Sequence, residues 1–304
     1  MINRIPAWLS VVRVAGLAVW LLVTLFPLYW ILITSFKPAS QIAEYPVRYW
    51  PKEFSFENYE KLFGQMMFGH ALGNSVIVSL SAGAVATLIA MLSAYILSRF
   101  QFRGKGAVML AFLVTQMIPA FIALGPLYQM FTNLGLVDSR FGLVLIYIAM
   151  TIPFSSIMLR GFFDNVPDSL EEAAMVDGCS RFTALWRIIV PVMGPGIIAT
   201  FIFNFVNVWN ELFLAVTLIN SNERRTIPTA LNGFISSFAI EWGPMAAAAV
   251  LTIIPTMVLF AFASRWIVEG LTSGATKGSG VGTPRRRAGR FARMVNRLSV
   301  SDSD

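Results

Sequence analysis

The chain has 304 residues, of which 56% are hydrophobic and only 13% charged, and its mean hydropathy is +0.68. Soluble domains carry about 25% charged residues, so the composition excludes an ordinary soluble protein and points to an all-α polytopic membrane protein. The net charge of +7 is then informative through its placement rather than as nucleic-acid affinity, and a single cysteine, Cys179, excludes an intrachain disulfide.

Six mostly apolar segments are long enough to span a bilayer: 14–36, 74–97, 107–131, 142–159, 193–217 and 245–266. A helix of about 20 residues crosses the hydrocarbon core. The first segment is long and has no small-x-small cleavage site, so it reads as a retained helix rather than a signal peptide. The segment 37–73 follows, with Pro38, Pro46 and Pro51 and several Tyr and Trp residues. It fits an external lid, an aromatic belt at the interface or a surface for an external partner. Asn74 caps the next helix or marks its outer rim. In the third segment Pro119 and Pro126 interrupt the hydrogen-bond ladder. A gating bend and a static kink both fit. The fourth segment is the shortest and has Ser139 as an alternative start.

Between the fourth and fifth segments lies the polar stretch SLEEAAMVDGCSRF, residues 169–182. Pro167 and then Asp168 or Ser169 mark a helix start, and Glu171 and Glu172 in the first turn offset the helix dipole. Ala173, Ala174, Met175 and Val176 supply an apolar side. Asp177 and Gly178 close the helix, and Gly178 permits a turn at positive φ. A second helix then carries Phe182, Leu185 and Trp186 on one strip. The stretch is either a folded helix-turn-helix or an amphipathic linker lying on the bilayer.

The fifth segment contains FIFNFVNVWNEL. Asn204, Asn207 and Glu211 are spaced i, i+3, i+7 and share one helical face, with Asn210 displaced from it. Polar groups in a membrane span need partners. No His, Cys and acidic cluster has metal-ligand spacing.

Lys and Arg placement sets the orientation. With both termini inside, most of the 23 basic residues face the cytoplasm. The expected organisation is a cytoplasmic N-terminus (1–13), a transmembrane domain (14–268) with the external loop 37–73 and the cytoplasmic loop 160–191, and a basic cytoplasmic tail (269–304). The tail arginines would attract anionic lipid.

The loop now carries a resemblance. Glu172-Ala173-Ala174, Gly178, Ile188 and Pro191 fall at the spacing of the EAA signature of ATP-binding-cassette (ABC) importer permeases, with Val190 where leucine is usual. PLYWILITSFKP at 27–38, FSFENYEKLF at 54–63, NSVIVS at 74–79, MIPAFIALGPLY at 117–128, LGLVDS at 134–139, NVWNEL at 207–212 and LTSGATKG at 271–278 extend it. Together they resemble the carbohydrate-uptake branch, and within it the second permease subunit of maltose-type systems. The resemblance implies a type I importer permease fold of six transmembrane helices in a bacterial or archaeal cytoplasmic (inner) membrane.

It also implies partners: a second homologous permease, a cytoplasmic ATPase dimer and an extracytoplasmic solute-binding protein. Residues Glu171 to Gly178 would couple to the ATPase, which drives alternating access. No Gly-x-x-x-x-Gly-Lys-Ser/Thr phosphate loop occurs in the chain, so a non-catalytic subunit without cofactor is expected. The implied solute is a sugar or sugar-like compound, with a polyol or a phosphorylated glycerol as alternatives. A secondary transporter is the competing class; it would show inverted repeats, and none is evident. For the fifth segment the resemblance opens two readings. The amides and Glu211 line a sugar path, with Trp209 or a phenylalanine stacking on the sugar, or they join the permeases as interhelical glue.

Overall fold

The computed structural model describes residues 7–64, 67–234 and 240–277. Among these residues the secondary structure is helical. Helix α1 (Ala7–Ser35) leads into a short α2 (Ala39–Ile42) and α3 (Glu57–Gly64) on the external segment. Next come α4 (Phe68–Arg99), α5 (Lys105–Met117), α6 (Ala120–Asn133) and α7 (Arg140–Phe163). The loop after α7 holds α8 (Ser169–Val176), α9 (Arg181–Ala184), a π turn (Leu185–Ile189) and α10 (Val190–Val192). The chain closes with α11 (Gly194–Trp209), α12 (Phe213–Leu218), α13 (Ile227–Asn232) and α14 (Trp242–Lys277).

Among the described residues four helices are long and apolar enough to cross a membrane, and up to six spans result if two bent pairs, α5 with α6 and Arg181–Val192 with Gly194–Trp209 (77°), each count as one. The third expected span is bent by 103° between α5 and α6. Pro119 sits at the N-cap of α6, so the ladder ends where a proline has no N–H to give. Pro126, in contrast, lies inside α6. The fifth expected span is interrupted after Trp209, and α12 restarts at Phe213. The last helix runs to Lys277, beyond the expected boundary at 268.

The centre of the bundle is α4 packed against α7 and α11. Its buried stripe is mostly small: Ala71, Ser75, Ser79, Ala82, Gly83, Ala86, Ala90 and Ala94 recur at helical spacing. In lipid the apolar solvent supplies no hydrophobic drive, so small residues that allow close helix approach determine where helices meet. At Gly83 a Cβ would already lie 3.4 Å from the Phe205 backbone nitrogen on α11. Helix α1 behaves differently: no residue in its most apolar stretch is buried, and it packs chiefly on α14. Asn58 of α3 holds its outer end by donating to the carbonyls of Ser35 (3.0 Å) and Lys37 (2.8 Å).

At the outer side, Asn74 neither caps α4 nor sits at its rim. It is buried in the helix and donates to the carbonyls of Glu223 (2.8 Å) and Arg225 (2.9 Å). Asp138 completes this clasp by accepting from the backbone N–H groups of Asn220 and Ser221 and from Arg224. The Ser221 amide is the main reason its carboxyl is held below the usual carboxylate value.

Candidate functional site: a folded loop and an aromatic-lined cavity

The loop between α7 and α11 is a helix-turn-helix. Gly178 adopts φ +85°, and the amide of Cys179 closes on the Ala174 carbonyl at 2.9 Å. This is a left-handed helix exit that glycine makes at little cost. The returning segment is anchored in the bundle: Leu185, Ile189 and Met193 pack with Met91, Ala94 and Tyr95 of α4 and Leu159 and Phe163 of α7. The π turn stands just before Pro191, with the Val190 amide donating to the Leu185 carbonyl. That anchoring excludes a linker lying loosely on the bilayer.

Each expected residue of the loop has a definite side. Asp168 makes no side-chain cap and instead accepts from Arg99. Ser169 is the first helical residue rather than the cap. Glu171 and Ala174 are buried. Glu171 accepts the Tyr95 hydroxyl and lies 3.5 Å from Nε of Arg99. Glu172, Ala173, Asp177 and Gly178 are exposed, Met175 is half-buried, and Val176 is 86% exposed. The expected strip Phe182–Leu185–Trp186 is divided: Leu185 is core, while Phe182 and Trp186 stay outside with their rings edge to face at 6.1 Å. The loop therefore buries one charged side chain, Glu171, and exposes Leu170, Val176 and Phe182 beside Glu172, Asp177 and Arg181.

The second constellation lies around α11. Asn204 is fully buried; it donates to the Thr87 hydroxyl on α4 at 3.1 Å and accepts from the Ser155 hydroxyl on α7 at 2.7 Å. It is glue, but within this one chain. Trp209 is also buried and stacks on Phe205 at 5.4 Å, so it is not free to stack on a solute. Asn210 is exposed and bonds the Val206 carbonyl of its own helix.

Asn207 and Glu211 separate from these residues and line a cavity of about 420 Å³ with Gln116, Tyr147, Thr151, Phe154 and Phe203. Phe154 and Phe203 stack at 4.6 Å on its wall. Glu211 accepts the Tyr147 hydroxyl at 2.7 Å and the first free amides of α12, from Leu214 (3.0 Å) and Ala215 (3.2 Å). A carboxylate at a helix N-terminus is stabilised by the unpaired amides there. Aromatic wall, amide and carboxylate together make a surface able to bind hydroxyl groups and an apolar ring face.

Residues 86–272 match the model of the binding-protein-dependent transport system inner membrane component. The chain belongs to this family. The inner membrane ABC transporter permease protein YcjP of Escherichia coli is 35% identical over 265 residues, covering 86% of this chain and 95% of that protein. The diacetylchitobiose uptake system permease protein DasC of Streptomyces coelicolor is 37% identical over 254 residues, covering 83% and 92%. A bacterial ABC transporter involved in the import of the acidic polysaccharide alginate aligns with a TM-score of 0.75 at 21% identity, over 87% of this chain and 98% of that one, and shows the fold.

The protein is thus an inner-membrane permease of a binding-protein-dependent ABC importer, and a secondary transporter is set aside. Both constellations of this permease fall inside the matched segment. Sequence reasoning missed Tyr95 and Arg99, which hold the loop, and Phe154, Phe203 and Tyr147, which complete the cavity. The i, i+4 spacing of Tyr95 and Arg99 in the last turns of α4 was the available signal. Nothing local tied either one to the loop 70 residues later.

Proposed function

We propose that this permease passes a sugar or sugar-like solute into the cytoplasm by ATPase-driven alternating access, as the non-catalytic partner of a second permease and a cytoplasmic ATPase dimer. The observation that carries this reading is the outward apolar face of the loop: Leu170, Ala173, Val176 and Phe182 form a surface fit for a protein groove. Glu172 to Gly178 supply the docking face and Glu171 holds it from behind. The loop 160–191 and both termini then lie in the cytoplasm, and the loop 37–73 faces the binding protein. Diacetylchitobiose uptake by one relative and the aromatic-amide cavity favour a saccharide over a polyol or a phosphorylated glycerol.

Calorimetric ligand screening of the associated solute-binding protein tests the substrate class. Sugar binding is expected, and tight binding of an amino acid or peptide alone would overturn it. Cys179, the chain's one cysteine and half-exposed in the loop, tests the orientation. A membrane-impermeant maleimide should label it in inverted vesicles and not in intact spheroplasts; the opposite pattern refutes the assignment of sides.

A further inference from the structure

Arg99 is the last residue of α4, and its side chain is only 8% exposed. It bonds three points of the loop that follows α7: the Val166 carbonyl at 2.8 Å, the Asp168 carboxylate and, more loosely, Glu171. One turn earlier on α4, the Tyr95 hydroxyl donates to Glu171. The Tyr95 ring packs at 5.9 Å from Phe163, where α7 ends. Ser98 adds a bond to Asp164 at 2.6 Å. Apart from the ring contact with Phe163 of α7, each of these contacts joins α4 to the loop, and Glu171 has a side chain only 5% exposed. A charge this deep is retained only with a partner, since removing one member of a buried pair leaves the other unpaired.

We infer that Tyr95, Arg99, Asp168 and Glu171 form a fixed tether, which makes α8 and the inner end of α4 one rigid body. Glu171 is a positioning residue, not an ATPase contact. The inference rests on the reading of the loop as the ATPase-docking segment. Force delivered to the outer face of α8 then enters α4 directly, and α4 is the helix that packs against both α7 and α11. Displacement of the loop therefore reaches the Asn204 joint and the cavity through a single stiff element. A hinged loop would dissipate that motion. The polar cavity of about 580 Å³ beside the tether, lined by Asp164, Glu172 and Arg181, gives the loop room to swing if the tether is cut.

The test uses the complete importer in proteoliposomes, in a Cys179→Ser background. Spin labels at Phe102, exposed just after α4, and at Ser169, exposed at the start of α8 and outside the docking face, report the distance between α4 and α8. In the wild-type tether this distance should stay the same with and without ATP and vanadate. Glu171→Gln and Arg99→Gln should broaden it and lower solute imported per ATP hydrolysed about tenfold, while the ATPase still co-purifies. Tyr95→Phe, which removes only one bond, should lose less. A change of several ångströms between the two wild-type states overturns the tether, as does an unchanged import ratio in Glu171→Gln. Loss of the ATPase in Glu171→Gln would instead make it a docking contact, also against the proposal. Val176→Asp separates the underlying reading: if the ATPase remains bound to that variant, the docking assignment itself fails.

Discussion

The loop between α7 and α11 and the C-terminal half of α11 both drew attention as polar residues in an apolar chain, yet they use those residues in different ways. In the loop one acidic group, Glu171, is buried against α4, while Glu172, Asp177 and Arg181 stay exposed beside Leu170, Val176 and Phe182. In α11 the buried amide, Asn204, binds α4 and α7, while Asn207 of α11 and Glu211, just beyond its end, line the cavity. Most charged groups of the loop are exposed, and Glu171, which has Tyr95 and Arg99 as partners, turns inward. Along α11 each polar group finds a bond inside the bundle or at the cavity. Burial of a polar group, at Glu171 and at Asn204, thus marks contact with α4.

The largest test of that contrast is Asn204→Ala. It removes two interhelical bonds, each worth about 0.6 kcal/mol in a membrane bundle, and leaves a small void beside the Thr87 and Ser155 hydroxyls. A total loss of about 2–3 kcal/mol is expected. It should appear as a lower Tm and reduced yield of intact permease, with uptake falling in proportion. Uptake lost at unchanged Tm would move Asn204 to the solute path.

Gly178→Val comes next. No neighbour lies within 4 Å, so the cost is purely backbone strain at φ +85°, about 1–2 kcal/mol. Recovery of ATPase with the permease should fall about tenfold while membrane insertion is normal. Normal recovery would remove the need for this turn in docking.

Asn207→Ala has a smaller effect of a different kind. Its amide bonds only the Phe203 carbonyl of its own helix, so the bundle should keep its Tm. Uptake should fall a few-fold if the cavity carries the solute. A drop in Tm equal to that of Asn204→Ala would erase the distinction between the two faces of α11.

The smallest expected effect is at the outer clasp. Asp138 has its pKa lowered, first by the Ser221 amide and further by Ser221 Oγ, Asn220 and Arg224. A carboxyl lowered on folding contributes stability that is present above its unfolded value of 3.8 and is lost as pH falls through its lower folded value. Asp138→Asn should therefore lower Tm slightly at neutral pH and flatten the decline below about pH 4. An identical acid profile in both proteins would show that the clasp does not depend on this charge.

Composition and the apolar run lengths were enough for a helical membrane protein, because only segments that satisfy their own backbone cross lipid. Local chemistry also placed the Gly178 turn and the Ser139 cap, whose hydroxyl accepts the Gly142 amide at 3.3 Å. These features depend on a few neighbouring residues. The face shared by Asn204, Asn207 and Glu211 was not of that kind. Helical spacing put the three within one arc, but α4 and α7 cover only the Asn204 edge of it, and the helix ends before Glu211 is reached. Trp209 became core because Phe205, Ile227 and Ala247 enclose it.

The loop divided in the same way. Its helix-turn-helix was legible from residues 167–191, whereas the inward turn of Glu171 needed Tyr95 and Arg99, more than 70 residues earlier. Local sequence determined where this chain enters the membrane, turns and caps, since those outcomes are set by the backbone and the solvent. Which polar groups face a ligand, a partner or the chain itself was decided only by tertiary structure, because a buried polar group goes wherever the fold brings it a matching one.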